Sequence, residues 1–147
     1  MTDRSNSFCL IVYVIAFIIS GCVGPAEGSF NPTLSFELTD LAKSNKYPSS
    51  DSDTTSCADW NLEKAEIELI ISQSEPITGP EWHHEFGHWP CQYTGEIKQN
   101  GKTYQLGLNA GAWFTLSNGD TTLRFGNYIK EHEVWFLSPA LSEEGFK

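Results

Sequence analysis

Residues 92–108 read QYTGEIKQNGKTYQLGL, and this segment gives the clearest indication of the fold. Apolar and polar residues alternate on both sides of Asn100-Gly101, which is the pattern of two half-buried strands. The Asn-Gly dipeptide favours a two-residue type I′ turn, so the two strands form a hairpin. Pairing across that turn predicts one face that contains Tyr93, Gly95, Ile97, Tyr104, Leu106 and Leu108 and another that contains Thr94, Glu96, Lys98, Thr103 and Gln105. In this register Ile97 lies opposite Tyr104.

Three further strands are predicted after the hairpin. They cover residues 113–117, 121–126 and 133–137, and Asn118-Gly119-Asp120 forms the turn between the first two. The alternation over residues 34–38 also predicts a short strand at the edge of the domain. The chain is therefore expected to contain an antiparallel β-meander of about five strands.

One helix is predicted before the meander, over residues 61–72. Leu62, Ala65 and Leu69 recur at helical spacing, and Asp59 is a suitable N-cap. The expected fold class is α+β, with one N-terminal helix packed on the sheet.

The N-terminus contains an apolar run over residues 8–19, which is shorter than the roughly 20 residues that a helix needs to span a bilayer. It ends in Ile19-Ser20-Gly21-Cys22, which resembles the lipobox of bacterial lipoprotein precursors. The resemblance implies cleavage before Cys22, a diacylglycerol on its thiol and, usually, acylation of the new amino group. The alternative is an ordinary cleaved signal peptide or a short anchor helix.

This resemblance implies three segments. Residues 1–21 are the signal peptide, residues 22–56 are the lipidated cysteine and a polar tether, and residues 57–147 are the compact domain. Family sorting rules keep many lipoproteins in the inner membrane through an aspartate after the cysteine, and here that position is Val23. The expected location is therefore the outer membrane, facing the periplasm, with the acyl chains on Cys22 as the membrane contact.

The formal net charge of -10 limits the choice of partners. Nucleic acids and anionic lipid surfaces are bound through Lys and Arg, so an acidic chain argues against both. A basic protein partner, such as a toxin or a cell-wall hydrolase, is favoured.

The chain has four cysteines. Cys9 belongs to the predicted signal peptide and Cys22 to the lipidation site, which leaves Cys57 and Cys91 as an even pair. In an oxidising periplasm this pair is expected to form a disulfide. The alternatives are two free thiols or a thiol that binds a metal.

Residues 81–91 contain the pattern His84-Glu85-Phe86-Gly87-His88. On a helix His84 and His88 would share a face and could bind one zinc ion, while Glu85 would act as the general base toward a metal-bound water. A third ligand would have to come from His83, His132, Glu131 or Glu133. This zinc hydrolase is the alternative to the favoured interpretation, in which the protein has no catalytic residues and no cofactor.

Pro80 and Pro90 limit any helix here to about two turns, and Gly87 weakens its middle. The favoured interpretation of the segment is therefore a solvated or interface loop. Its large apolar residues, Trp82, Phe86 and Trp89, are the expected contact patch for a partner. Trp113 and Trp135 lie in predicted strands and are expected to be mostly core, although tryptophans could also form a glycan-binding platform.

A wider set of residues resembles small uncharacterised lipoproteins of Gram-negative bacteria, some of which accompany toxin or secretion systems as immunity proteins. The resemblance is carried by Trp60, Trp82, Pro90-Cys91, Gly95, Asn100-Gly101-Lys102, Tyr104, Asn109-Ala110-Gly111 and Trp113. It covers about half of the chain and implies no catalytic residue. The expected function is a lipid-anchored binding module that protects against, or inhibits, a periplasmic toxin or hydrolase. A glycan-binding or structural lipoprotein is a third interpretation.

Overall fold

The computed structural model describes residues 29–45 and 56–141, which form a six-stranded antiparallel sheet with short helices. The strand order is β1-β3-β4-β5-β6-β2. In chain order the elements are β1 (Glu37–Asn45), α1 (Lys64–Ser72), β2 (Glu75–Pro76), α2 (Gly79–Glu85), β3 (Cys91–Gln99), β4 (Lys102–Asn109), β5 (Trp113–Asn118), β6 (Thr121–Gly126) and the 3-10 helix η1 (Lys130–Trp135). None of the helices in these two ranges is long and apolar enough to cross a membrane.

The β3–β4 hairpin confirms the predicted register. Ile97 pairs with Tyr104, Gly95 with Leu106 and Tyr93 with Leu108. Asn100 and Gly101 have φ angles of 50° and 75°, as a type I′ turn requires. The turn and the alternating pattern therefore agree on one register.

Of the other predicted strands, the two over residues 113–117 and 121–126 are confirmed as β5 and β6. The strand predicted over residues 133–137 is wrong, because most of this segment belongs to η1. The edge of the sheet beside β6 is already occupied by β2, where Glu75 pairs with Gly126. Backbone bonds of the i to i−3 type, such as Phe136 N–H to Glu133 O at 3.2 Å, form within η1 and at its end instead, and the Leu137 N–H donates to the Ala110 carbonyl at 2.9 Å.

The predicted helix is present as α1, but it begins at Lys64 rather than at residue 61. The Leu62 N–H donates to the Tyr93 hydroxyl at 2.9 Å, which holds the preceding residues against the sheet. The Glu63 N–H then donates to the Glu66 carboxylate at 2.7 Å, as in a capping box. This helix is also not the N-terminal element of the fold, because β1 precedes it.

β1 changes the predicted domain boundary. It pairs antiparallel with β3, from Glu37 opposite Lys98 to Asn45 opposite Cys91, so the predicted edge strand lies three residues later and is longer. Phe30 also belongs to the core, with its ring 5.7 Å from that of Phe125. Residues 29–45 are thus part of the folded domain, and the tether predicted over residues 22–56 was drawn too long.

The hydrophobic core lies on one face of the sheet, beneath α1. Ile67, Ile70 and Ile71 of α1 are fully buried there. Phe114 of β5 stacks on Phe125 of β6 with ring centroids 4.9 Å apart. Since fully burying one such side chain contributes about 1.5–3 kcal/mol, this face contributes most to the stability of the fold.

The disulfide between Cys57 and Cys91 is confirmed. The two Cα atoms are 5.6 Å apart, and both side chains are buried. The bond joins a helical turn at residues 56–59 to the first residue of β3. Closing a loop of this length stabilises a fold by about 3–4 kcal/mol in the chain-entropy model.

Candidate functional site

The sheet face that turns away from α1 is called the outer face. Strand alternation places Trp113 and Arg124 on it, because their neighbours Phe114 and Phe125 point into the core. It also carries polar residues such as Thr94, Glu96 and Gln105. An antiparallel sheet with one face in the core can leave the other available for contacts.

α2 packs at the β6 side of this face, and its start is fixed locally. The Thr78 hydroxyl accepts from the Glu81 N–H at 3.4 Å, and the Thr78 N–H donates to the Glu81 carboxylate at 2.6 Å. Both interactions with Thr78 lower the pKa of the Glu81 carboxyl, and the one with the Thr78 backbone has the larger effect. The helix ends at Glu85, and Phe86 is already extended with φ −119° and ψ 142°.

This early end separates the two histidines of the predicted zinc pattern. His84 lies on α2, whereas His88 lies in the extended segment after it, so they do not share a helical face. The ring of His83 lies 6.2 Å from that of His88, measured between centroids. Across residues 29–45 and 56–141, no three His, Cys, Asp or Glu side chains are grouped as a metal site would require.

Glu85, the predicted general base of the alternative, has a structural partner. Its carboxylate accepts a hydrogen bond of 2.6 Å from the Tyr128 hydroxyl. Burial is the main cause of the raised pKa of Tyr128, and the hydrogen bond to Glu85 and the charge of Glu85 raise it further. The arrangement keeps Tyr128 protonated as the donor and holds Glu85 against the fold.

The predicted additional ligands also have other environments. His132 is buried on η1, where its Nδ1 lies 3.1 Å from the Asn127 Oδ1 and its ring lies 4.4 Å from that of Trp135. Burial lowers the pKa of His132, and the charge of Glu131 opposes this effect more weakly. A neutral His132 therefore suits the core, and Glu131 and Glu133 are exposed on η1.

The loop after α2 is held against the sheet by the segment that joins β4 to β5. The Asn109 side chain accepts from the Trp89 N–H at 3.1 Å and donates to the Trp89 carbonyl at 2.8 Å. The Trp113 Nε1 donates to the Gly87 carbonyl at 2.8 Å. A Cβ on Gly111 would lie 1.8 Å from that same carbonyl oxygen, so only glycine permits this approach. The residues of the Asn109-Ala110-Gly111-x-Trp113 motif thus form the docking site for the loop.

The predicted contact patch of Trp82, Phe86 and Trp89 requires correction. Phe86 is only 5% exposed and packs against Gly126 and Tyr128, so its side chain is buried and does not belong to the surface. Trp89 is partly buried, packs against the hydrophobic core and donates from its Nε1 to the Ser138 hydroxyl at 2.9 Å. Trp82 is half-buried and remains part of the surface.

Trp82 lies at the centre of a different group, called the Trp82 cluster and made up of Trp82, His83, His88, Trp113 and Arg124. The Trp82 ring is 4.5 Å from His88 and 5.3 Å from Trp113, in edge-on contacts. The Arg124 guanidinium lies over the Trp82 ring at 5.4 Å. His83 and His88 are exposed, whereas Trp82, Trp113 and Arg124 are half-buried, so the two imidazoles are the most accessible part of the cluster.

Sequence reasoning missed two members of the Trp82 cluster. Trp113 was expected to be mostly core because it lies in a strand, and Arg124 was not considered. Strand alternation could have placed both residues on the outer face, because each directly precedes a buried phenylalanine, Phe114 or Phe125. The contact between α2 and β6 that unites them with Trp82 is non-local and left no pattern in the sequence.

Comparisons of the chain with protein-family models, curated proteins and solved structures give no match. The chemistry of the described side chains and the N-terminal sequence are therefore the guides to function.

Proposed function

We propose that this chain is a lipid-anchored, non-enzymatic binding module of the bacterial envelope that binds and neutralises a basic protein, such as a toxin or a cell-wall hydrolase. The observation that carries the proposal is the Trp82 cluster on the outer face. It brings half-buried Trp82, Trp113 and Arg124 to one surface. Trp and Arg are the residue types that most often anchor protein interfaces.

The cluster is also pre-organised, which favours binding. Trp113 is fixed by its hydrogen bond to Gly87, and Trp82 is held between Trp113, His88 and Arg124. Side chains that are already ordered lose less conformational entropy when a partner binds. The cluster therefore suits an anchor better than a set of mobile surface side chains would.

The charge of the chain supports a basic partner. A formal charge of -10 speeds association with a cationic protein through electrostatic steering, although it contributes less to the final affinity. Arg124 and the imidazoles then mark the local contact, and the net negative charge of the chain attracts the partner.

Anchoring is the second part of the proposal and rests on Ile19-Ser20-Gly21-Cys22. Cys22 lies outside the described residues. Two or three acyl chains give stable anchoring, whereas one chain binds only marginally. The expected location is the periplasmic side of the outer membrane.

Site-specific photo-crosslinking in cells tests the binding proposal. Thr115 lies on the outer face beside Arg124, so a photo-reactive amino acid there would face a bound partner. We expect one major adduct with a protein of basic isoelectric point when the full-length chain is expressed in a host that carries the partner. The same chain with Trp113→Ala should lose this adduct.

The matched control is Lys98→Gln, which removes a charge from the other end of the same face and should keep the adduct. Absence of any protein adduct, or an adduct that Trp113→Ala leaves unchanged, would contradict the proposal. Adducts with glycan strands in place of protein would support the glycan-binding interpretation instead. Stoichiometric zinc that is lost on His84→Ala would support the hydrolase.

A further inference from the structure

The side of the domain opposite the outer face contains a shallow groove of about 520 Å³ between residues 32–36 and α1. Its lining is mixed, with the apolar residues Pro32, Leu34, Phe36, Ala65 and Leu69 beside the polar residues Thr33, Ser35, Glu68 and Ser72. Leu34 is 49% exposed and Leu69 is 41% exposed, so two large aliphatic side chains project at its rim. Projecting apolar residues grouped on one surface mark a contact site more often than scattered ones do.

The position of Cys22 indicates what this surface contacts, if the proposed acylation of Cys22 is correct. The described domain begins at Ser29, and only residues 23–28 separate it from Cys22. At about 3.3–3.6 Å per residue, the seven Cα–Cα steps from Cys22 to Ser29 span at most about 25 Å. A domain of about 100 residues has a radius of gyration near 13 Å, so its diameter exceeds the reach of the tether.

Such a tether would hold Ser29 within about 25 Å of the membrane, so the surface around Ser29 can reach the bilayer without further extension of the chain. The groove begins three residues later, at Pro32, and is continuous with that end of the chain. From this juxtaposition we infer that the groove face, with Leu34 and Leu69 at its rim, rests on the surface of the lipid bilayer. Glu68 lines the groove and the chain is acidic, so a leaflet of zwitterionic lipid suits it better than an anionic one.

This orientation has a consequence for the Trp82 cluster. α1 and residues 29–36 cover the core face of the sheet, and the Trp82 cluster lies on the other face. Contact between the groove face and the lipid therefore turns the cluster toward the periplasm, where a soluble partner can reach it.

The inference is tested with an environment-sensitive fluorophore on the full-length, acylated protein in phosphatidylcholine vesicles. Leu69→Cys supplies a single reactive thiol, because Cys57 and Cys91 are joined, Cys22 would be acylated and Cys9 would be removed with the signal peptide. We expect a blue-shifted emission that lipids with brominated tails quench. Thr103→Cys, an exposed position on the outer face, is the matched control and should emit as in water with no quenching.

The outcomes separate this inference from the proposed function. If mass spectrometry finds Cys22 unmodified, the proposed anchoring is wrong and this inference fails with it. If Cys22 is acylated but the label at residue 69 emits as in water, the inference alone is overturned. A blue shift without quenching by brominated lipid would mean that protein covers the groove, which also overturns it. Leu34→Cys provides a second labelling site if Leu69→Cys does not fold.

Discussion

Trp113 and Phe114 are neighbours on β5, yet they lie on opposite faces of the sheet and in different environments. Phe114 is fully buried and stacks on Phe125 in the core. Trp113 is half-buried on the outer face, where it contacts Trp82 and holds the Gly87 carbonyl. The two faces of one strand thus serve stability and surface recognition separately.

The difference shows how each face is specified. The core face follows from strand alternation and is reinforced by α1, Phe30 and the disulfide. The arrangement on the outer face depends on the loop after α2, which is held in place by Asn109, Gly111 and Trp113. The hydrogen bonds that hold it join residues 20 or more positions apart in the sequence. Substitutions should therefore affect stability strongly on the core face and recognition more than stability on the outer face.

The largest effect is expected for Phe114→Ala. Removing a fully buried ring from the core should lower the free energy of unfolding by about 3–5 kcal/mol. Chemical denaturation followed by fluorescence measures this loss. Trp113→Ala on the same strand is the matched control and should cost less, because Trp113 is partly solvated. Equal losses for the two variants would contradict the distinction between the faces.

Gly101→Val tests the turn that sets which residues face the core. Gly101 has φ 75° and open space around its Cβ position, so the cost is conformational and should exceed about 1 kcal/mol. Gly79→Ala is the control, since that site also has open space and no positive φ. An unchanged melting temperature for Gly101→Val would refute the type I′ turn.

The buried His132 should make stability depend on pH. Burial lowers its pKa from the ordinary value of 6.5, so the unfolded chain binds a proton more readily than the folded one. Stability from this site is complete above pH 6.5 and is lost as the pH falls from there toward the lowered pKa. Unfolding free energies measured between pH 7.5 and pH 5 should show this slope. His132→Asn should reduce the slope.

The smallest effect on stability is expected for Arg124→Gln. Surface substitutions usually change the free energy of unfolding by less than about 0.5 kcal/mol, and Arg124 is half-buried with its guanidinium over the Trp82 ring. The same variant should nevertheless weaken crosslinking of a partner at Thr115, whereas Lys98→Gln should not. A large loss of stability with unchanged crosslinking would place Arg124 among the structural residues.

Much of the sheet could be predicted because its determinants are local. Alternation and the Asn100-Gly101 turn specify the β3–β4 register from adjacent residues alone, and the pairing of Ile97 with Tyr104 follows. The pairing of Cys57 with Cys91 was also predicted, once the lipobox resemblance had assigned Cys9 and Cys22 to other roles and implied an oxidising compartment. The lipidation of Cys22 stays a prediction of the sequence.

Tertiary contacts determined the structure of two segments for which the periodicity of the sequence was not sufficient. The pattern from His84 to His88 has helical spacing, but α2 ends at Glu85, because the next residues bond to β4 and β5 instead of continuing the helix. The segment after β6 has the apolar residues of a strand, but β2 already pairs at that edge. Local pattern determines which residues can be strand or helix, and competition for hydrogen-bond partners across the fold determines which of them become so.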